Sequence, residues 1–195
     1  GLRDLVAGFL RQTDHEYRRQ LARRLHAIGI DPAHAEKSDI GFLFREPEFD
    51  RFFAADSLVD VYTRTMAGLG FTGEAQQRIT LDIEKRPTKS PRAFCSAPRI
   101  PDEVYLVINP QGGEYDYGAM LHEGGHAQHF AHADGALPFA LKGLGDNSVT
   151  EGFAFVLEHI MAIPEWLEQH LSFHEPARYL EMQRFNRLCM FRRYA

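Results

Sequence analysis

Residues 122–126 read HEGGH and lie within the segment DYGAMLHEGGHAQHFAHA, residues 116–133. Apolar side chains recur through this segment at helical spacing, which predicts a single α-helix. On an α-helix, positions i and i+4 lie one turn apart on the same face, so His122 and His126 can direct imidazole nitrogens at one ion. Glu123 lies on the neighbouring flank, where it can reach a water on that ion.

The spacing matches the HExxH pattern of zinc hydrolases, in which two neutral histidines hold the metal and a carboxylate takes a proton from a water. The two glycines inside the pattern call for a reason, because each costs a helix about 1 kcal/mol relative to alanine. We therefore expect another segment to approach closely at Gly124 and Gly125. The alternative is a helix with surface histidines and two tolerated glycines.

A zinc site needs a third protein ligand, and two further histidines follow in the same segment. His129 lies about 10 Å along the helix axis from His122, too far for a shared ion with bonds of about 2 Å. His132 completes the H-E-x-x-H-x-x-G-x-x-H spacing of the metzincins, except that His129 occupies the position of the turn-forming glycine. On the residues alone, His132 remains an alternative ligand.

A second candidate segment, DNSVTEGFAFVLEHI, covers residues 146–160 and begins like a helix N-terminus. Glu151 follows His126 by 25 positions and is a candidate third ligand. Glu158 lies two turns further on the same face, where its carboxylate can hydrogen-bond a ligating histidine. Two alternatives remain: the S-x-x-E pattern ending at Glu151 is also a capping box, and Asp146 is a rival ligand.

Together, HEGGHAQHF and the later TEGFAFVLEHI resemble the thimet oligopeptidase and oligoendopeptidase F family of gluzincin metallopeptidases. The preceding run, SPRAFCSAPRIPDEVYLVINPQGGEYDYGAMLHEGGH, resembles the family's approach to the motif, where a strand precedes the helix. The likeness covers residues 75–162, and the flanks share only a helical pattern. It implies these site residues: His122, His126 and Glu151 as zinc ligands, Glu123 as general base, and Glu158 as a hydrogen-bond partner of a ligand.

The resemblance implies a zinc-dependent enzyme that hydrolyses oligopeptides with Glu123 as general base. Two alternatives are a zinc metallocarboxypeptidase of related helical fold and a catalytically incomplete zinc-binding module. The family stabilises the oxyanion with a tyrosine and a histidine far beyond the third ligand, whereas only 44 residues follow Glu151 here. Tyr179, Tyr194 and His174 are present, but none matches that motif.

Apolar residues alternate in two stretches, residues 79–83 and 104–108, which predicts two strands on either side of a proline-rich loop, residues 87–101. We expect a peptide to lie along a free edge of the second strand, near the metal. The cations in and beside the loop are expected to be solvent-exposed, with a role at the substrate cleft as the alternative. They are Lys85, Arg86, Lys89 and Arg92.

The whole pattern predicts a mainly α fold, a zincin-like helical metallopeptidase core with a small β-sheet or hairpin beside the zinc helix. We expect one catalytic domain over residues 1–195, truncated from a longer polypeptide because both ends run in helical rhythm without caps. Its predicted parts are a helical flank (1–74), a zinc-binding core (75–162) and C-terminal helices (163–195). Truncation would expose an apolar face and favour self-association. The residues of that face are Tyr179, Phe185 and Phe191.

The composition is that of an ordinary globular protein, with 44% hydrophobic and 25% charged residues. A net charge of −5 gives no reason to expect nucleic acid as a partner. No apolar run approaches the roughly 18 residues of a membrane span. Cys95 and Cys189 form no metal or redox motif, so we expect a cytoplasmic protein. The resemblance implies an oligopeptide as its partner and Zn²⁺ as its cofactor.

Overall fold

The computed structural model describes residues 1–44, 47–143 and 146–195. Two compact units contain them, one of residues 1–47 and 175–195, the other of residues 48–174. The described chain is mainly helical with one small sheet, as the sequence predicted. The predicted division at residues 74 and 162 stays a prediction. Within the described ranges, no helix has the length and apolar character needed to cross a membrane.

In chain order the α-helices are α1 (Leu2–Ala27), α2 (Lys37–Leu43), α3 (Leu58–Gly68), α4 (Glu74–Gln77), α5 (Glu114–Ala131), α6 (Phe139–Lys142), α7 (Asn147–Glu158), α8 (Pro164–Leu171) and α9 (Ala177–Tyr194). The strands are β1 (Ile79–Asp82), β2 (Phe94–Arg99) and β3 (Glu103–Val107). Short 3₁₀ helices cover Pro47–Phe52, Ala55–Ser57 and His159–Ala162.

The first unit contains α1, α2 and α9, and α9 packs against α1. The ring of Tyr17 on α1 stacks on Phe185 of α9, with centroids 6.1 Å apart. Tyr179 and Phe185 are both fully buried, and of the three residues predicted to form an exposed apolar face only Phe191 is exposed. That prediction was wrong for Tyr179 and Phe185. A helix without a cap can still bury its apolar stripe, and here α1 lies against the stripe of α9.

The sheet of the second unit has the order β1-β3-β2, with β1 parallel and β2 antiparallel to β3. Strand β2 lies within the segment predicted as a proline-rich loop, and it contains Pro98, which lacks a backbone N–H. It is tolerated here because β2 is an edge strand whose register with β3 shifts between Ser96 and Arg99. The predicted peptide edge on β3 was also wrong, since β3 is paired on both sides. The free edge nearest α5 belongs to β2.

Hydrogen bonds to Asp82 hold the segment between β1 and β2 against β1. The ammonium of Lys89 donates to the carbonyl and the carboxylate of Asp82 at 2.8 and 2.9 Å, and its side chain is only 1% exposed. Arg86 pairs with the same carboxylate, and together the two cations hold the pKa of Asp82 well below its usual range. The expectation of a solvent-exposed cation was therefore wrong for Lys89. A buried ammonium needs a paired carboxylate, and Asp82 supplies it.

Candidate metal centre

Two glycines start α5 after strand β3. Gly112 and Gly113 have φ of +85° and +92°, conformations that side chains other than glycine rarely adopt. The N–H of Gly113 donates to the carbonyl of Phe53 at 2.8 Å, and Asp116 in the first turn accepts from Gly112 at 2.8 Å. These bonds use backbone donors that helix termini otherwise leave without partners. They fix where α5 begins, and therefore which way its histidines face.

The close approach expected at the two central glycines is confirmed. A Cβ at Gly124 would lie 2.4 Å from an edge carbon of Tyr62, and a Cβ at Gly125 would lie 2.5 Å from the Cα of Ala154 on α7. Both distances are shorter than any normal contact. The absence of a side chain at Gly125 lets the backbones of α5 and α7 meet, which brings the first turns of α7 to the histidine face of α5.

Three predicted site residues converge at this contact. One ligand atom from each of His122, His126 and Glu151 lies within 4.8 Å of the other two. The Nε2 of His122 lies 3.5 Å from Glu151 Oε2, and the Nε2 of His126 lies 3.8 Å from Oε1. Ligand atoms that share an ion with bonds of about 2 Å stand roughly 3–4 Å apart. The two histidine–glutamate distances match that requirement.

The other nitrogen of each histidine has its own partner. Nδ1 of His122 lies 2.8 Å from Glu158, and Nδ1 of His126 lies 2.7 Å from the hydroxyl of Thr150. In the neutral tautomer with its proton on Nδ1, each ring donates to that oxygen and turns the Nε2 lone pair toward Glu151. The hydrogen bond to Glu158 raises the pKa of His122, whereas burial lowers the pKa of His126. The donor set therefore fits a divalent transition metal.

Glu123 lies between the helix and the sheet. Its Oε2 accepts the backbone N–H of Cys95 on β2 at 2.9 Å, and burial raises the pKa of the carboxyl group. The N–H of Cys95 points away from β3, since a residue of an antiparallel strand directs its N–H and C=O to one side. The carboxylate thus stands at the free edge of β2, beside the three ligand atoms.

The rival ligands are engaged elsewhere. His129 stacks on Phe153, with centroids 4.8 Å apart and rings nearly parallel. Nδ1 of His132 donates to the backbone carbonyl of Gln128 at 2.8 Å, so this side chain turns back along its own helix. Asp146 caps α7 by accepting the backbone N–H two residues on, at 2.8 Å. Among the described residues, the group that can hold a metal contains none of the three.

Sequence reasoning missed two contacts of this centre. Thr150 carried only a weak signal, a hydroxyl next to a candidate ligand, and became recognisable once α7 was seen against His126. Cys95 carried none, because it contributes a backbone N–H that any residue but proline would offer. Two of the residues considered for the oxyanion role can be located: Tyr179 is buried, and His174 is exposed with Nδ1 3.2 Å from Glu168.

Comparison of the chain with models of protein families, with curated proteins and with solved structures finds no match. The resemblance to the gluzincin peptidases therefore rests on HEGGH, on the glutamate 25 positions later and on the residues around them. The geometry adds an independent observation: residues far apart in the chain meet with their donor atoms at metal-binding distance.

Proposed function

We propose that this chain is the core of a zinc-dependent peptidase that hydrolyses oligopeptides, with a zincin-like arrangement of α5, α7 and the sheet. The observation that carries the proposal is the meeting of two histidine Nε2 atoms and the Glu151 carboxylate beside Glu123. A structural zinc site normally has four protein ligands, whereas a catalytic site has three and an open position. Three ligands with a neighbouring carboxylate favour the catalytic kind.

His122, His126 and Glu151 would hold the ion. A bound Zn²⁺ acts as a Lewis acid that polarises a carbonyl and makes a water acidic enough to attack at neutral pH. Glu158 and the hydroxyl of Thr150 keep both imidazole rings turned, so that the Nε2 atoms converge without rearrangement. Orientation of this kind lowers the reorganisation needed during the reaction.

Glu123 would move the proton. One of its oxygens is held by the N–H of Cys95, which orients the carboxylate and leaves the other oxygen to accept a proton from the attacking water. As the new C–O bond forms and the C–N bond breaks, the carboxyl group returns that proton to the leaving amine. The residue thus serves first as base and then as acid.

The free edge of β2 supports a peptide as the substrate. In the part of the chain that the structure describes, no strand pairs with the backbone near Cys95 on this side, so an extended peptide can add as a further strand with main-chain hydrogen bonds. A peptide bound there would pass Glu123 and the three ligand atoms. The peptide edge that the sequence predicted on β3 is therefore proposed on β2.

The test is the substitution Glu123→Gln, with Glu165→Gln, an exposed position on α8, as matched control. We expect about one zinc per chain in all three proteins, and a loss of at least about 10²-fold in cleavage of an internally quenched oligopeptide for Glu123→Gln alone. The isosteric amide keeps the size of the side chain but cannot accept the proton.

Comparable turnover by Glu123→Gln would refute its role as base. Zinc binding with no cleavage by the unsubstituted chain would refute the peptidase and leave a zinc-binding module. Mass analysis of the products separates the two peptidase classes, because internal cleavage indicates an endopeptidase and release of single C-terminal residues indicates a carboxypeptidase.

A further inference from the structure

A cavity of about 600 Å³ lies on the free side of β2, within the second unit. Strand β2 lines one wall, from Cys95 to Arg99, and α6 lines another with Phe139 and Lys142. Phe130, in the last turn of α5, also lines the cavity. The volume falls in the range of roughly 300–1,000 Å³ typical of small-molecule sites, enough for several atoms of a peptide beyond its backbone.

The cavity shares two of its walls with the candidate metal centre. Cys95 lines it and also donates its N–H to Glu123. Phe130 lines it and stacks on the ring of His126, with centroids 6.4 Å apart. A peptide whose scissile bond lies at Glu123 would therefore have a neighbouring residue within reach of the cavity.

The charged groups that line the cavity are all cationic. Arg99 and Lys142 belong to it, and none of the lining residues within the described ranges carries a carboxylate. Lys142 spends one donor on the carbonyl of Gly135 at 2.9 Å, and Arg99 lies 3.6 Å from Glu103 in a solvent-exposed pair. The exposed pair of Arg99 with Glu103 is weak, so its guanidinium can also bind a ligand. The ammonium of Lys142 has three N–H donors, of which one is used by Gly135.

Apart from Ser96, the other lining side chains are weakly polar or apolar, which restricts the ligand further. Phe139 lines the cavity and is 69% exposed, so its ring is available to pack against a ligand. Arg and Lys donors give charge-assisted hydrogen bonds to a carboxylate, while Phe130 and Phe139 can pack against methylene groups or a ring. An anionic group on an apolar stem satisfies both features.

We propose that this cavity is a substrate subsite in which Arg99 and Lys142 bind a carboxylate of the peptide, outside the bond that is cleaved. The proposal rests on the proposed peptidase function. The carboxylate can come from an acidic side chain or from the C-terminus of the peptide, and both present the same chemistry to the two cations.

The test uses four dye-labelled peptides that differ only in charge: one with a single glutamate, one with glutamine in its place, and each as a C-terminal acid or amide. The glutamate is moved along the peptide in a series. Binding is measured by fluorescence anisotropy on zinc-loaded Glu123→Gln protein, which should not turn the peptides over, and kcat/KM is measured on the active chain.

We expect the preferred carboxylate to improve binding and kcat/KM about tenfold over its neutral counterpart. The pair Arg99→Gln with Lys142→Met should abolish that preference while keeping zinc content and cleavage of the neutral peptide. The matched control, Arg11→Gln with Lys37→Met, removes the same two charges from exposed positions and should retain the preference. Each substitution is also made singly, so that a folding defect in one pair does not decide the result.

The outcomes separate the two proposals. A glutamate preference at one position identifies a side-chain carboxylate, and an acid-over-amide preference identifies the C-terminus. Cleavage without any carboxylate preference, or a preference that survives loss of both cations, overturns the subsite and leaves the peptidase. Carboxylate-dependent binding without cleavage overturns the peptidase and leaves a cavity that binds carboxylates. No binding of any peptide overturns the subsite.

Discussion

The two helices that carry the metal-binding atoms are built differently. Helix α5 has eight buried residues between Tyr117 and Ala131, and its two central glycines lie against Tyr62 and α7. Helix α7 buries only Ala154 and Leu157, and it leaves Val156 67% exposed. Two ligand atoms thus sit on a helix held by close packing, and the third sits on a helix that packing holds from one side. The centre therefore depends on α7 being held in place by what it contacts on α5.

The largest expected effect concerns the ligand on α7. Glu151→Gln should weaken zinc binding by more than the roughly 100-fold that loss of an outer hydrogen-bond partner costs, because it removes a charged donor from the centre. Asp146→Asn on the same helix should leave zinc affinity unchanged, since Asp146 caps the helix and asparagine also caps. Zinc titration against a competing chelator measures both.

Unchanged affinity in Glu151→Gln, or a large loss in Asp146→Asn, would reverse the assignment of the third ligand. The ligand on α7 would then come from the start of the helix and not from its second turn.

The next effect compares one glycine on each helix. Gly125→Ala places a Cβ 2.5 Å from the Cα of Ala154, a backbone atom that cannot turn aside, so we expect a loss of about 3 kcal/mol in the free energy of unfolding. Gly152→Ala on α7 meets nothing within 4 Å and should stabilise by about 0.5–1 kcal/mol.

Denaturant unfolding of the metal-free protein measures both changes without interference from zinc. Equal effects of the same sign would show that the two helices are packed alike. If Gly125→Ala also weakens zinc binding, the spacing between α5 and α7 sets the ligand geometry.

The smallest effect separates the outer partners of the two histidines. Glu158→Gln should weaken zinc binding about 10- to 100-fold, the usual cost of losing such a partner. Thr150→Val, which removes only the hydroxyl, should fall at or below the lower end of that range, because a hydrogen bond to a carboxylate is stronger than one to a neutral hydroxyl. Zinc affinity by competition and the far-UV spectrum of each variant provide the measurement and its folding control. A larger loss in Thr150→Val than in Glu158→Gln would contradict this ranking.

Much of the helical part could be predicted because its signals are local. The segment 116–133 predicted the helix that the structure places at Glu114–Ala131, and the cap pattern at Asp146 predicted the start of α7. The same local geometry put Glu158 on the face of Glu151, and its hydrogen bond to His122 follows once α7 lies against α5. The helical period of 3.6 residues is enough to predict which side chains share a face.

The sheet could not be predicted in the same way. A pattern of alternation shows that a strand exists but not which strand lies in the middle, because pairing joins residues that are distant in sequence. The free edge was assigned to β3 for this reason, and β2 was missed because it lies in a proline-rich segment predicted as a loop. The burial of Lys89 beside Asp82 was missed too, since a loop cation looks solvent-exposed until the chain folds back on it.

The amino-acid sequence alone predicts two histidines one turn apart, the carboxylate beside them and a cost to the helix from glycine at positions 124 and 125. Each of these follows from helix geometry within a few residues. The folded chain was needed to show that the carboxylate of Glu151 lies near both Nε2 atoms, that Thr150 lies against His126, and that the N–H of Cys95 donates to Glu123. Those contacts join segments 24 to 29 residues apart, and they exist because close packing of α5 on α7 and on β2 brings the segments together.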